Sequence, residues 1–139
     1  MKYGSLIIEK KEYVYLKRIL NISGYAEDLE TRKSVERLFE ELKSAMIVDE
    51  VDMPEDVVRF NSSVTVSSNK GWKKSLQLVI PLEKDFKQDK ISILTPMGAA
   101  LLGYSEEDTF EWEFPNGRQE LKIEVVKQDE NQKRIEVPI

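Results

Sequence analysis

The sequence predicts an α+β fold: an N-terminal antiparallel helical hairpin, a short coiled-coil arm, followed by a twisted antiparallel sheet with one short helix. Three observations predict it. Apolar residues recur at helical spacing through the first 50 positions, the spacing changes to strict alternation beyond Pro54, and Thr95–Gly103 carries the start and stop signals of one short helix. The expected division is residues 1–50 for the arm and 51–139 for the sheet domain.

The first helix is expected from about Glu9 to Ile22, after the apolar stretch Leu6-Ile7-Ile8. Tyr13, Leu16 and Leu20 share its apolar stripe with Ile19 beside them, and Ser23-Gly24 stops it. In the second helix Val35, Leu38, Phe39, Leu42, Ala45 and Met46 follow the i, i+3, i+4, i+7 pattern, while Glu36, Arg37, Glu40, Glu41 and Lys43 face away. Two amphipathic helices on a short link pack most simply against each other. Pro54 then forbids further helix.

Strands follow. Val64-Thr65-Val66 begins the first, Asn69-Lys70-Gly71 turns, and Leu76, Leu78, Ile80 and Leu82 alternate along the second. Ile91-Ser92-Ile93 is a third. Phe110, Trp112 and Phe114 alternate with Thr109, Glu111 and Glu113, and Pro115-Asn116-Gly117 offers hairpin turn chemistry. The return strand should place Leu121, Ile123 and Val125 on the buried face, with Glu120, Lys122 and Glu124 in water. To cover that buried face, Thr95 would cap a short helix, Pro96 would take its first position and Gly103 would end it. Alternation with charged residues assigns Phe110, Trp112 and Phe114 to the core rather than to a binding platform.

Composition narrows the chemistry. The 139 residues include no Cys and no His, which removes thiolate nucleophiles, disulfides, the commonest general base and the commonest transition-metal ligands. No cofactor or metal is expected. Charged residues make up 34% of the chain, the net charge is −5, and basic residues are interleaved with acidic ones. No basic stripe can neutralise a phosphate backbone, so independent tight nucleic-acid binding is disfavoured. No apolar run approaches the roughly 20 residues of a membrane span and no signal-peptide core is present, so a cytosolic protein without membrane association is expected.

Thr95-Pro96-Met97-Gly98-Ala99-Ala100-Leu101-Leu102-Gly103 resembles the Ser-Pro-Ile-Gly-Arg-Ala-Leu-Leu-Gly motif of the C-terminal domain of bacterial Gre transcript-cleavage factors. The likeness continues through Ser105-Glu106-Glu107-Asp108-Thr109, Glu111, Glu113, Pro115 and Gly117. Met53-Pro54-Glu55-Asp56-Val57-Val58, Asn61-Ser62, Gly98–Gly103 and Trp112 are similar to the short-armed Rnk branch (regulator of nucleoside diphosphate kinase). The resemblance implies an FKBP-like C-terminal domain and a partner of RNA polymerase core; a monomer is the simpler expectation for its own state. It also implies docking beside the polymerase secondary channel, with Thr95, Pro96, Met97, Gly98, Ala99 and Gly103 as candidate contacts. Met97 and Ala99 are the members expected to be exposed.

Cleavage-stimulating relatives hold a catalytic magnesium with tip carboxylates. The corresponding candidates are Glu27, Asp28 and Glu30. Only Asp28-Leu29-Glu30 echoes the family's acidic tip, acidic residues suit any helix N-terminus, and a first helix of about 21 Å is short for such reach. A non-catalytic regulator that occupies the channel is therefore expected ahead of a cleavage factor. A prolyl isomerase rests on fold alone, which does not transfer function. Direct duplex binding is opposed by the charge.

Overall fold

The computed structural model describes residues 2–23, 29–114 and 117–128, with every side chain there but those at 22, 23, 30, 31 and 114. Leu6-Ile7-Ile8 feeds a strand, β1 (Ile7–Glu9), that runs directly into helix α1 (Lys10–Ser23). Helix α2 (Leu29–Leu42) follows, then strand β2 (Met46–Val48), which pairs in parallel with β1, Ile7 opposite Met46.

The expected second helix continued to Met46, whereas α2 stops at Leu42 and Met46 is exposed. Three tightened bonds end the helix: Lys43 N, Ser44 N and Ala45 N donate to the carbonyls of Glu40, Glu41 and Leu42. Met46 N then donates to Leu6 O at 2.7 Å, so a tertiary carbonyl replaces the helical acceptor.

The larger sheet contains β3 (Ser63–Ser68), β4 (Lys73–Val79), β5 (Lys90–Ser92), β6 (Thr109–Phe114) and β7 (Gly117–Lys127), in the order β5-β4-β3-β7-β6. All its pairings are antiparallel except β4–β5, which is parallel and corrects the expected all-antiparallel sheet. Pro81 is the cause. It opens a 3₁₀ turn after Ile80, lacks a ladder donor, and diverts the chain over residues 81–89 before it returns in the direction it left. The alternation of Leu76 and Leu78 therefore does not extend through Leu82, which is 91% exposed.

β7 departs from simple alternation too. Val66 lies opposite Ile123, but Thr65 lies opposite Val125, so the ladder carries one extra residue on β7. Beyond this bulge the inward position passes to Val126, and Val125, expected in the core, faces out.

Helix α3 (Pro96–Leu101) packs on the sheet and on α2. One apolar cluster runs without a break from Leu16 and Leu20 of α1, and Val35 and Leu38 of α2, to Leu101, Leu121 and Ile123. Such continuity joins the helices to the sheet energetically, since each buried aliphatic side chain contributes about 1.5–3 kcal/mol.

Candidate functional site

The Thr95–Gly103 segment divides into architecture and surface. Thr95 Oγ1 accepts from Gly98 N at 3.0 Å and donates to Ser92 O at 2.7 Å, so one hydroxyl caps α3 and ties it to β5. Gly98 touches the sheet so closely that a Cβ there would lie 2.2 Å from Ser92 O and 3.0 Å from Ile93 Cα. Gly103 has φ +84° and sits against Leu6, where only glycine is unstrained. Ala99, expected to be exposed, is 9% exposed and belongs to the core. Helix α3 lies between the sheet and α2, so little of its circumference meets water.

Three members of the motif do reach a surface. Thr95, Pro96 and Met97 line a groove of about 490 Å³ together with Trp72, Ile91 and Trp112. Val66 and Leu76 contribute to its apolar lining, while Lys74 and Phe86 also border it. Phe86 is 76% exposed, an aromatic ring presented to solvent on the crossover between β4 and β5. Trp72 is oriented by donation from its indole N–H to Gln119 Oε1 at 2.7 Å. Phe110 and Trp112 are half-buried and meet edge-to-face at 6.4 Å, so Trp112 serves both core and groove. Sequence periodicity assigned Trp112 to the core and missed Trp72 and Phe86; a lone aromatic within the charged run Glu83-Lys84-Asp85-Phe86-Lys87 was the available signal for Phe86.

Of the acidic tip candidates, Glu27 and Asp28 lie outside the described residues, while Glu30 stands in the first turn of α2 without a described side chain. The turn residues Pro115 and Asn116 also lie outside them. Among the described residues no group of three or more acidic side chains could hold a metal ion. No helix there is long and apolar enough to cross a membrane.

A polar centre lies between α1 and the segment that leads into β3, and sequence patterns gave no hint of it. Arg59, 4% exposed, donates from Nε to Glu12 Oε2 at 2.8 Å and from Nη1 and Nη2 to Glu50 at 2.6 and 2.9 Å. Nη2 also bonds Glu12, and Phe60 N donates to Glu12 Oε1 at 3.1 Å. Burial pushes the Glu12 carboxyl above its ordinary range, against the pull of Arg59. Burial alone would lower the guanidinium, but its bonds to Glu50 and Glu12 raise it, so the cation stays charged.

Residues 53–128 match the family model described as "Transcription elongation factor, GreA/GreB, C-term". This chain belongs to the GreA/GreB family. The regulator of nucleoside diphosphate kinase of Escherichia coli K12 is 36% identical over 78 residues, 55% of this chain and 57% of that one. The transcription elongation factor GreA of Anaeromyxobacter sp. strain K is 35% identical over 86 residues, 61% of this chain and 52% of that protein. The match thus spans little more than half the length of these curated relatives. Over 89% of the chain, the structure resembles the GreA/GreB transcription elongation factor of Nitrosomonas europaea, with a TM-score of 0.72 and 30% identity across 98% of that protein. The resemblance to the Gre family and its Rnk branch read over residues 53–127 therefore holds. The groove and the buried Arg59 both fall within the family-matched region.

Proposed function

We propose that this protein is a non-catalytic regulator of transcription elongation that binds RNA polymerase core beside its secondary channel. In this reading residues 51–139 form an FKBP-like docking domain and residues 1–50 an antiparallel helical hairpin that enters the channel mouth. The groove at Thr95, Pro96 and Met97 takes an apolar element of the polymerase, and Gly98, Ala99 and Gly103 shape the helix that presents it. The protein acts as a monomer, brings no metal of its own, and competes with other channel-entering regulators.

The observation that carries this reading is the coincidence of the groove with the Gre-family motif. Three motif residues line an apolar, aromatic-rich concavity, the kind of surface that anchors a protein partner. Its test is a titration against bacterial core polymerase with a cleavage factor as competitor. Saturable binding at micromolar concentration with displacement of the competitor is expected; absence of binding refutes the proposal.

Asp28-Leu29-Glu30 keeps a transcript-cleavage role as the second reading. Helices of 14 residues reach only about 21 Å, which favours occupation of the channel over delivery of carboxylates to its floor. Restart of backtracked complexes that is lost in Glu27→Ala/Glu30→Ala would establish cleavage stimulation instead.

A further inference from the structure

We propose that Arg59 is a positioning residue that sets the angle of the helical arm relative to the docking groove. Among the described residues it is the only buried cation, and it joins three separate stretches of chain. Its fork holds Glu12, in the first turn of α1, and Glu50, in the turn after β2. Its own backbone leads into β3: Arg59 N donates to Ser62 Oγ at 2.8 Å, and Ser62 Oγ donates to Gln128 Oε1 at 2.6 Å. Gln128 Nε2 in turn donates to Val57 O at 2.8 Å. The chains entering and leaving the helices are therefore both clasped to the sheet through one guanidinium.

Geometry explains why a charge occupies this place. The neighbouring contacts of the arm root include the apolar side chains of Ile7, Ile8, Leu16, Phe60 and Leu102, around a cavity of about 10 Å³. Apolar contacts of this kind are non-directional and permit sliding. A forked guanidinium bonded to two carboxylates fixes both distance and direction. Buried ion pairs add little net stability over apolar replacements, so retention of one here is better explained by the geometry it specifies. Glu9 is also buried nearby, and its carboxylate is engaged by Lys11 N at 2.5 Å. It leaves the guanidinium to the other two acids.

This inference rests on the polymerase-docking reading only for its functional consequence. A ligand held at two points, groove and channel, gains affinity when the span between them is preset. The test uses the full chain, whose lack of cysteine allows a spin-label pair at Asn21→Cys and Lys70→Cys, both exposed positions. Distances are compared in the parent and in Glu12→Gln/Arg59→Met. That double change leaves no unpaired buried charge and keeps an oxygen acceptor for Phe60 N, so the fold survives. Arg59→Lys, which retains charge without the fork, supplies an independent second variant.

The parent should give one narrow distance distribution, and both variants a distribution at least about twice as wide, with cooperative unfolding retained. Polymerase affinity should fall about tenfold in both. An unchanged width in the double variant overturns the proposal, because apolar packing would then suffice. Wider distributions with unchanged affinity overturn its functional half. Should the parent itself fail to bind polymerase, the docking reading falls while the distance measurement still decides the role of Arg59.

Discussion

Gly98→Ala separates the architectural part of the Gre motif from its surface. Alanine at an open helical position stabilises by about 1 kcal/mol relative to glycine. Here the added methyl would stand 2.2 Å from the carbonyl oxygen of Ser92 and 3.0 Å from Ile93 Cα, and both obstacles are backbone. Restoring 3.0 Å requires α3 to move by at least about 0.8 Å, which also loosens the Thr95 cap and the Thr95–Ser92 bond. Overpacking costs about 1–3 kcal/mol, and a backbone obstacle puts this site at the upper end, so about 2 kcal/mol remains after the helical gain. For a chain of this size that lowers the midpoint by about 8 °C. Urea and thermal unfolding followed through Trp72 and Trp112 measure it. A midpoint that is unchanged or higher refutes the close approach of α3 to β5 as the reason for glycine.

Other perturbations discriminate equally well. Met97→Glu and Phe86→Ala, both at the groove surface, should each weaken polymerase binding about tenfold or more while changing the unfolding midpoint by less than about 3 °C; a competition titration and a thermal melt read the two effects. Leu82→Ala should cost less than about 0.5 kcal/mol and Leu78→Ala about 3 kcal/mol, and equal losses on urea unfolding would contradict the 3₁₀ turn at Pro81. Asp56 is raised by partial burial but more strongly lowered by hydrogen bonds from Lys2 and Tyr3, which leaves it below its ordinary 3.8. Its contribution to stability is present above that value and lost as pH falls through the lower folded one, so Asp56→Asn should flatten the acid limb of the stability–pH curve. An identical limb in parent and variant would remove that assignment.

Local chemistry made much of this fold legible. The helical stripes of Leu16–Leu20 and Val35–Leu42, the Thr95 cap and the Phe110–Trp112 alternation each depend on residues within one element. What escaped depends on partners distant in sequence. The fate of Met46 was decided by Leu6 O, forty residues earlier, and the register of Val125 by a bulge opposite Thr65. The parallel return of β5 required the chain beyond Pro81 to be followed in space. Arg59 resembled any charged residue of a linker, because the Glu12 that buries with it is 47 positions away. Of the groove, motif resemblance found Thr95, Pro96 and Met97, but Trp72 and Phe86 reach it only through the turn after β3 and the β4–β5 crossover.

The parallel ladder between β1 and β2 has a consequence for how this architecture can vary. Because Ile7 and Met46 are paired neighbours, everything between them is an excursion that departs from and returns to one fixed point. Seven residues added to each of α1 and α2 would lengthen each helix by about 10 Å while the β1–β2 pairing stayed in place. The length of the helical excursion is thus decoupled from the sheet: one can be lengthened or trimmed by matched insertions or deletions without redesign of the other.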